Sequence, residues 1–179
     1  MTIKPKIPLL EEILSPWQET IGADYEGYRN HVYRMLHFCF YLHPTTREER
    51  EKLIIAAAFH DIGIWSEGTV DYLPPSMVAA QDYLKAEGLS HWEDEITLII
   101  YEHHKIRQVR DDRYPLAELF RRADLVDFSL GMVKWGVPKH YINEVKAAFP
   151  NAGFHKRLMQ LTWQQLKKAP LNPLPMMRW

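Results

Sequence analysis

The sequence predicts an all-α protein. Apolar residues recur with helical periodicity along most of the chain, strand-like alternation bounded by turn residues is hard to find, and glycine or proline ends most periodic segments. At 179 residues the chain has the length of one domain, and such a domain buries roughly two thirds of its unfolded surface. We therefore expect a single compact helical bundle over residues 1–179, with a proline-rich C-terminal tail.

The periodic segments and their breakers define eight helices. Six of them span about residues 8–21, 24–42, 76–87, 91–106, 138–148 and 151–168. The other two are the third helix along the chain, described in the next paragraph, and the sixth, which begins at Pro115 and includes the segment PLAELFRRADLVDFSLG. The tail APLNPLPMMRW contains too many prolines to continue a helix. Its Met and Trp side chains could dock on a second subunit, giving a homodimer, or fold back over their own domain.

The third helix, TTREEREKLIIAAAFHDIG, carries the most informative dipeptide. Thr45 or Thr46 is expected to cap it, and two glutamates in its first turn suit the helix dipole. Because Gly63 follows the apolar run, the sequence places His60 and Asp61 in the last turn of a buried helix.

Composition excludes several classes of partner. The 22 Lys and Arg residues balance 23 Asp and Glu residues, so no overall field recruits a nucleic acid polymer or an acidic membrane. The apolar run IIAAAF is far shorter than the ~20 residues of a membrane helix. The single cysteine, Cys39, cannot form an internal disulfide, and the N-terminal segment lacks the apolar region of a secretory signal. We expect a cytoplasmic protein.

Histidines and aspartates on three separate segments could meet at a metal ion. His31 lies within the second helix, His60 and Asp61 end the third, and Asp124 lies in the apolar segment LFRRADLVDF. Neighbouring side chains on a helix point about 100° apart, so a shared cation explains an adjacent His–Asp pair economically. A buried carboxylate without a partner is costly, whereas a divalent cation keeps it ionised.

Three motifs, NHVYRML, AAAFHDIG and RRADLVD, surround these residues. Over about residues 25–130 the series resembles the HD-domain superfamily of metal-dependent phosphohydrolases. The resemblance implies an all-helical domain in which His31, His60, Asp61 and Asp124 bind one divalent metal ion, with positions left for water or substrate. The helices and tail at about 138–179 are expected to complete the same domain.

The metal could be Mn, Fe, Co, Ni, Zn or Mg, because two nitrogen and two oxygen ligands do not select among them. Some members of the superfamily bind two or three metals through extra histidines, and a few of those are oxygenases. They usually carry a histidine near the start of the helix that follows the HD loop. This chain has Pro75, Ser76 and Met77 there, which favours a single metal ion.

The activity implied by the resemblance is hydrolysis of a small phosphate ester, with a nucleotide as a candidate, by a metal-activated water. Asp61 itself, or Glu67 or Asp71 in the following loop, could transfer protons. Trp65 and Tyr72 could stack on a base. The candidate substrate-binding residues are Arg34, His103, His104, Lys105, Arg107, Arg121 and Arg122.

Other interpretations stay open at this stage. The charged side chains could be solvated or paired, as Glu102 could be with Lys105. A di-iron oxygenase of the HD type is an alternative if His91 joins His103 and His104 as a ligand. A non-catalytic module that binds a metal or a nucleotide is another.

Overall fold

The computed structural model describes residues 2–171 and 175–177, which form ten α-helices. They are α1 Pro8–Leu14, α2 Gln18–Ile21, α3 Tyr25–Leu42, α4 Arg47–Phe59, α5 Gly63–Ser66, α6 Leu73–Ala86, α7 Glu93–Glu102, α8 Leu116–Phe128, α9 Lys139–Ala148 and α10 Phe154–Lys168. Short 3₁₀ turns precede α2, α3 and α7. No β-strand occurs among the described residues, so the all-α prediction is confirmed.

Several helix boundaries differ from the prediction, and prolines explain two of them. The first predicted helix is divided into α1 and α2 by a 3₁₀ turn at Ser15–Trp17, where Pro16 has no N–H to continue the α-helical ladder. Helix α6 begins at Leu73, three residues earlier than predicted, because Pro74 and Pro75 fit the first turn, whose N–H groups need no helical partner.

A capping box fixes the start of α4, the helix that precedes the His–Asp pair. The side chain of Thr46 accepts a hydrogen bond from the Glu49 N–H at 3.2 Å, and the Glu49 carboxylate accepts one from the Thr46 N–H at 2.7 Å. The helix ends at Phe59, so His60 and Asp61 lie in the turn that follows it, not in its last turn as predicted.

The turn after α4 is fixed by a close backbone approach at Gly63. A Cβ at this position would overlap the backbone of Tyr72 and the ring of Pro75, so glycine is required. The Gly63 N–H also donates a hydrogen bond to the buried hydroxyl of Ser76 at 3.0 Å. Because this turn is attached to the start of α6, the direction of Asp61 is set from both sides.

Helix α3 is buried along most of its length and packs on α4 and α8, while α7 packs on α4, α6 and α8. One hydrophobic core includes side chains from Ile7 in the N-terminal segment to Phe154 at the start of α10. The segments that carry the predicted metal ligands therefore meet inside this core.

The C-terminal segment folds back over the domain as far as it is described. Leu158 and Leu161 of α10 and Met176 of the tail pack on a small cluster formed by Ile64, Tyr72 and Leu73. The prediction for the rest of the proline-rich tail falls on residues 172–174 and 178–179, which lie outside the described residues. None of the described helices is long and apolar enough to cross a bilayer.

Candidate metal centre

The four predicted metal ligands converge in the core. The Nε2 atoms of His31 and His60 lie 3.0 Å apart, and the His60 Nε2 lies 3.3 Å from Asp61 Oδ2. The His31 Nε2 is 3.5 Å from Asp124 Oδ1 and 3.9 Å from Asp61 Oδ2. All four side chains are buried. Nitrogen and oxygen atoms at these separations can share one ion, since ligand bonds of about 2.0–2.2 Å leave neighbouring ligands some 3 Å apart.

Three histidines of the centre are oriented in the same way. The Nδ1 of His31 lies 2.7 Å from Asp127 Oδ2, and the Nδ1 atoms of His60 and His103 each lie 2.7 Å from the backbone carbonyl three residues earlier. A carbonyl only accepts, so His60 and His103 each carry a proton on Nδ1, and in the neutral ring Nε2 offers its lone pair. Each Nε2 lies within 4 Å of the Asp61 carboxylate. This arrangement is typical of metal-ligating histidines.

Asp127 is held in turn by Arg34, in a buried pair that the sequence analysis did not identify. The guanidinium binds both carboxylate oxygens, at 2.6 and 2.8 Å, and donates further to the carbonyls of Phe149 and Pro150. Burial would raise the pKa of Asp127, but its hydrogen bonds with His31 and Arg34 and the charge of Arg34 lower it well below the usual value. Asp127 is therefore an ionised partner that fixes the ring of His31.

The expectation that Arg34 binds substrate is corrected by this pairing. Its side chain is 2% exposed and its donors face Asp127 and two carbonyls, so it does not line the cavity. The helical spacing in the sequence is consistent with this pair. Residues three apart on a helix share a face, so Arg34 lies on the face of His31 and Asp127 on the face of Asp124.

The two ligand carboxylates differ in acidity. Burial would raise the pKa of Asp61, but the neighbouring imidazoles of His60 and His103 hold it well below the usual value. For Asp124 burial dominates, and its pKa is raised despite the neighbouring histidines. The pKa of His60 is raised, because Asp61 and Asp124 outweigh the opposing effect of burial. The site thus concentrates negative charge that a cation would balance.

Two buried atoms of the centre have no hydrogen-bond partner within the part of the chain that the structure describes. They are Asp61 Oδ1 and His103 Nε2, which face each other at 3.4 Å. Asp61 takes part in two groups whose ligand atoms are close enough to hold a metal ion, one with His31 and His60 and the other with His103 and His104. A buried carboxylate oxygen and a buried imidazole nitrogen without hydrogen-bond partners are suitable ligand atoms for a divalent metal ion.

A cavity of about 240 Å³ opens beside the candidate ligands His31, Asp61 and Asp124. Among the predicted substrate-binding residues, the cavity is lined by His103, His104, Lys105 and Arg121. The Tyr72 hydroxyl lies 2.6 Å from the His104 Nε2, and burial together with the charge of His103 lowers the pKa of His104 well below its usual value. His104 is therefore a neutral imidazole at the cavity wall.

Arg107 and Arg122 are not brought to this cavity. Arg107 is exposed, and Arg122 pairs with Glu118 at 2.7 Å with its guanidinium over the Trp135 ring.

The predicted acids Glu67 and Asp71 are also exposed and do not line the cavity. Glu67 borders a separate groove between α1 and α6. The loop that carries both residues runs along the surface, so closeness in sequence to Asp61 did not bring them to the site.

Of the two aromatic residues predicted to stack on a base and the extra histidine considered as a metal ligand, Tyr72 lines the cavity, whereas Trp65 and His91 do not. Trp65 donates a hydrogen bond to Asp24 at 3.0 Å and does not line the cavity. Tyr72 is buried with its hydroxyl on His104. His91 is exposed in the 3₁₀ turn before α7 and is not among the residues that line the cavity.

The helical core and the buried His–Asp centre define an all-α protein with a candidate metal site. A model of the HD domain matches residues 28–129, which is more than half of the chain. The chain therefore belongs to the HD domain family, whose members are largely metal-dependent phosphohydrolases. Comparisons with curated proteins and with solved structures give no match.

Proposed function

We propose that the protein is a metal-dependent phosphohydrolase that cleaves a small phosphate ester, with His31, His60, Asp61 and Asp124 as the ligands of one divalent ion. The observation that carries this proposal is the orientation of His31, His60 and His103. The Nδ1 of each ring has a hydrogen-bond partner, and each Nε2 lies within 4 Å of the Asp61 carboxylate. We also propose that the whole chain acts as one domain, because a single core joins its N-terminal segment to α10.

A divalent ion bound there supplies Lewis-acid chemistry, polarising a phosphoryl oxygen and lowering the pKa of water. The protein supplies position and charge around it. Asp127 fixes the ring of His31, and the backbone carbonyls fix His60 and His103, so the donor atoms need little rearrangement.

Lys105 is the cation best placed to meet the substrate anion. It lines the cavity, its side chain is 26% exposed, and Glu102 orients its ammonium at 2.7 Å. We assign proton transfer to His104 and Asp61, since both line the cavity, in place of Glu67 and Asp71. His104 is neutral and hydrogen-bonded to Tyr72, so it can accept or pass on a proton at Nε2.

The test combines metal analysis with a substrate screen. Metal content per chain is measured first, and then phosphate release from nucleoside mono- and triphosphates and from phosphomonoesters is followed with Mn²⁺, Co²⁺, Ni²⁺ or Mg²⁺ added. We expect one metal per chain and hydrolysis of at least one ester. Bound metal with no turnover of any ester would contradict the proposal and favour a non-catalytic module.

A second candidate is a dinuclear enzyme, such as a di-iron oxygenase. The observation in its favour is the second group formed by Asp61, His103 and His104, because the two oxygens of Asp61 face different histidines. Two irons per chain together with oxygen uptake would support it. The buried Ser76, where relatives with two metals usually carry a histidine, favours the single ion.

A further inference from the structure

We propose that the substrate is a monoester of a single phosphate with a small apolar alcohol, in preference to a nucleotide. This inference rests on the proposed phosphohydrolase function and names the substrate class of the same site. Its support comes from the apolar cavity wall formed by α10 and the tail, from the ion pairs of the cavity cations and from the cavity volume.

One wall of the cavity is apolar and adjoins the proposed ligands, since Phe154 stacks on the His31 ring at 4.2 Å. It is formed by one face of α10 together with two methionines of the tail, and α8 adds Leu125 and Phe128 at its edge. We call this α10 and tail surface the outer wall, and its members are Phe154, Leu158, Leu161, Thr162, Met176 and Met177. Within this set only Thr162 offers a polar side-chain group, so a ligand part that lies here gains from burying apolar surface.

The cavity holds little positive charge for a polyphosphate. Its cations, among the lining residues that the structure describes, are Lys105 and Arg121. Lys105 pairs with Glu102 at 2.7 Å, and Arg121 binds both oxygens of Glu118 at 2.8 Å with its side chain 3% exposed. A divalent ion beside Asp61 and Asp124 adds two positive charges against two carboxylates. One phosphate can be balanced there, but the further charges of a nucleoside triphosphate would lack partners.

The cavity volume also favours a compact ligand. A cavity of 240 Å³ lies below the usual range of ligand pockets, about 300–1,000 Å³, so a compact ligand suits it better than a nucleoside with its phosphate. Of the two aromatic side chains predicted to stack on a base, Trp65 lies outside the cavity and Tyr72 is 2% exposed. Ribose hydroxyls would face leucine and methionine side chains and lose their hydrogen bonds to water.

The direct test compares two phosphonates with the same head group. They are not hydrolysed, because a P–C bond replaces the ester linkage. Hexylphosphonate and methylphosphonate are titrated calorimetrically into the Mn²⁺-loaded protein and into the metal-free protein. Burial of two methylene groups corresponds to about a tenfold gain in affinity, so we expect hexylphosphonate to bind at least tenfold more tightly in both forms. Equal affinity of the two phosphonates would overturn the inference.

Matched variants of α10 locate the contact. Leu161→Asn and, separately, Leu158→Asn place a polar group on the outer wall, while Leu166→Asn makes the same change at a leucine that is 38% exposed and does not line the cavity. We expect the first two variants to weaken hexylphosphonate binding about five- to tenfold and to leave methylphosphonate binding within twofold. Leu166→Asn should change neither. An equal loss in all three variants would contradict a specific contact at this wall.

Turnover separates this inference from the function on which it rests. We expect kcat/KM for hexyl phosphate to exceed that for glycerol phosphate and for a nucleoside monophosphate by at least tenfold. Hydrolysis without this preference would sink the substrate class and leave the phosphohydrolase standing. Selective binding of hexylphosphonate without hydrolysis of any ester would remove the phosphohydrolase and leave an apolar binding site.

Discussion

The cavity has two walls that differ in burial and in chemistry. The inner wall carries the proposed metal ligands His31, Asp61 and Asp124, which are buried. The outer wall consists of half-buried apolar side chains, apart from the buried Phe154, on a helix that is mostly exposed. On the proposed function, the chemistry of the site is built into the core, whereas the shape of the cavity depends on a mostly exposed helix and the tail.

The largest expected effect comes from the inner wall. Asp61→Asn should lower kcat/KM by about a thousandfold and deplete the bound metal, because it removes the carboxylate that faces all three histidines. Asp71→Asn is the matched control, since that acid is exposed and outside the cavity, and its kcat/KM should stay within twofold. Comparable losses in both variants, with circular dichroism unchanged, would contradict the assignment of Asp61.

The next effect concerns the buried pair behind the ligands. Arg34→Met leaves the Asp127 carboxylate buried without its cation and should lower the free energy of unfolding by about 3–5 kcal/mol in chemical denaturation. Arg29→Met removes an arginine of a partly exposed pair with Glu11 and should cost about 1 kcal/mol or less. If Arg34→Met instead raised KM with stability unchanged, Arg34 would be a substrate contact after all.

These comparisons also show what the sequence could predict. The helices and the converging set His31, His60, Asp61 and Asp124 followed from periodicity, from the cost of burying an unpaired carboxylate and from the resemblance to HD domains. The pairing of Glu102 with Lys105 was weighed as an alternative, and the two groups lie 2.7 Å apart.

The outer wall could not be predicted, because the apolar spacing of α10 does not indicate which surface it covers. The loop acids Glu67 and Asp71 were assigned by nearness in sequence, which says little about direction in a surface loop. The prediction that Arg34 binds substrate rests on its charge and on its place one turn after His31. Its partner Asp127 lies 93 residues away, and only the packing of α3 on α8 brings them together.

A smaller effect tests the cap that positions the inner wall. Thr46→Ala removes the side-chain acceptor of the capping box and should lower the free energy of unfolding by about 1 kcal/mol. Thr45→Ala is a close control, because its hydroxyl has no hydrogen-bond partner within the described residues. Thermal melts of both variants decide the point, and equal shifts in Tm would show that the cap is not specific to Thr46.

The smallest effect is a pH dependence outside the site. Burial would raise the pKa of Glu11, but hydrogen bonds from Arg29 and Tyr33 lower it below its usual value of 4.5. A depressed pKa stabilises the fold fully above the pKa of the unfolded chain, and this contribution is lost as pH falls through the folded value. Below about pH 4.5 the wild type should therefore lose stability more steeply than Glu11→Gln. Parallel curves in denaturation at pH 3–7 would contradict this role.

The most direct measurement of the central claim is the position of a bound ion, determined by anomalous scattering from crystals of the wild-type protein grown with Mn²⁺. We predict one ion bonded at about 2.0–2.3 Å to the Nε2 atoms of His31 and His60 and to oxygens of Asp61 and Asp124. Crystals with no ion at this position, or with manganese bound only elsewhere, would contradict the account.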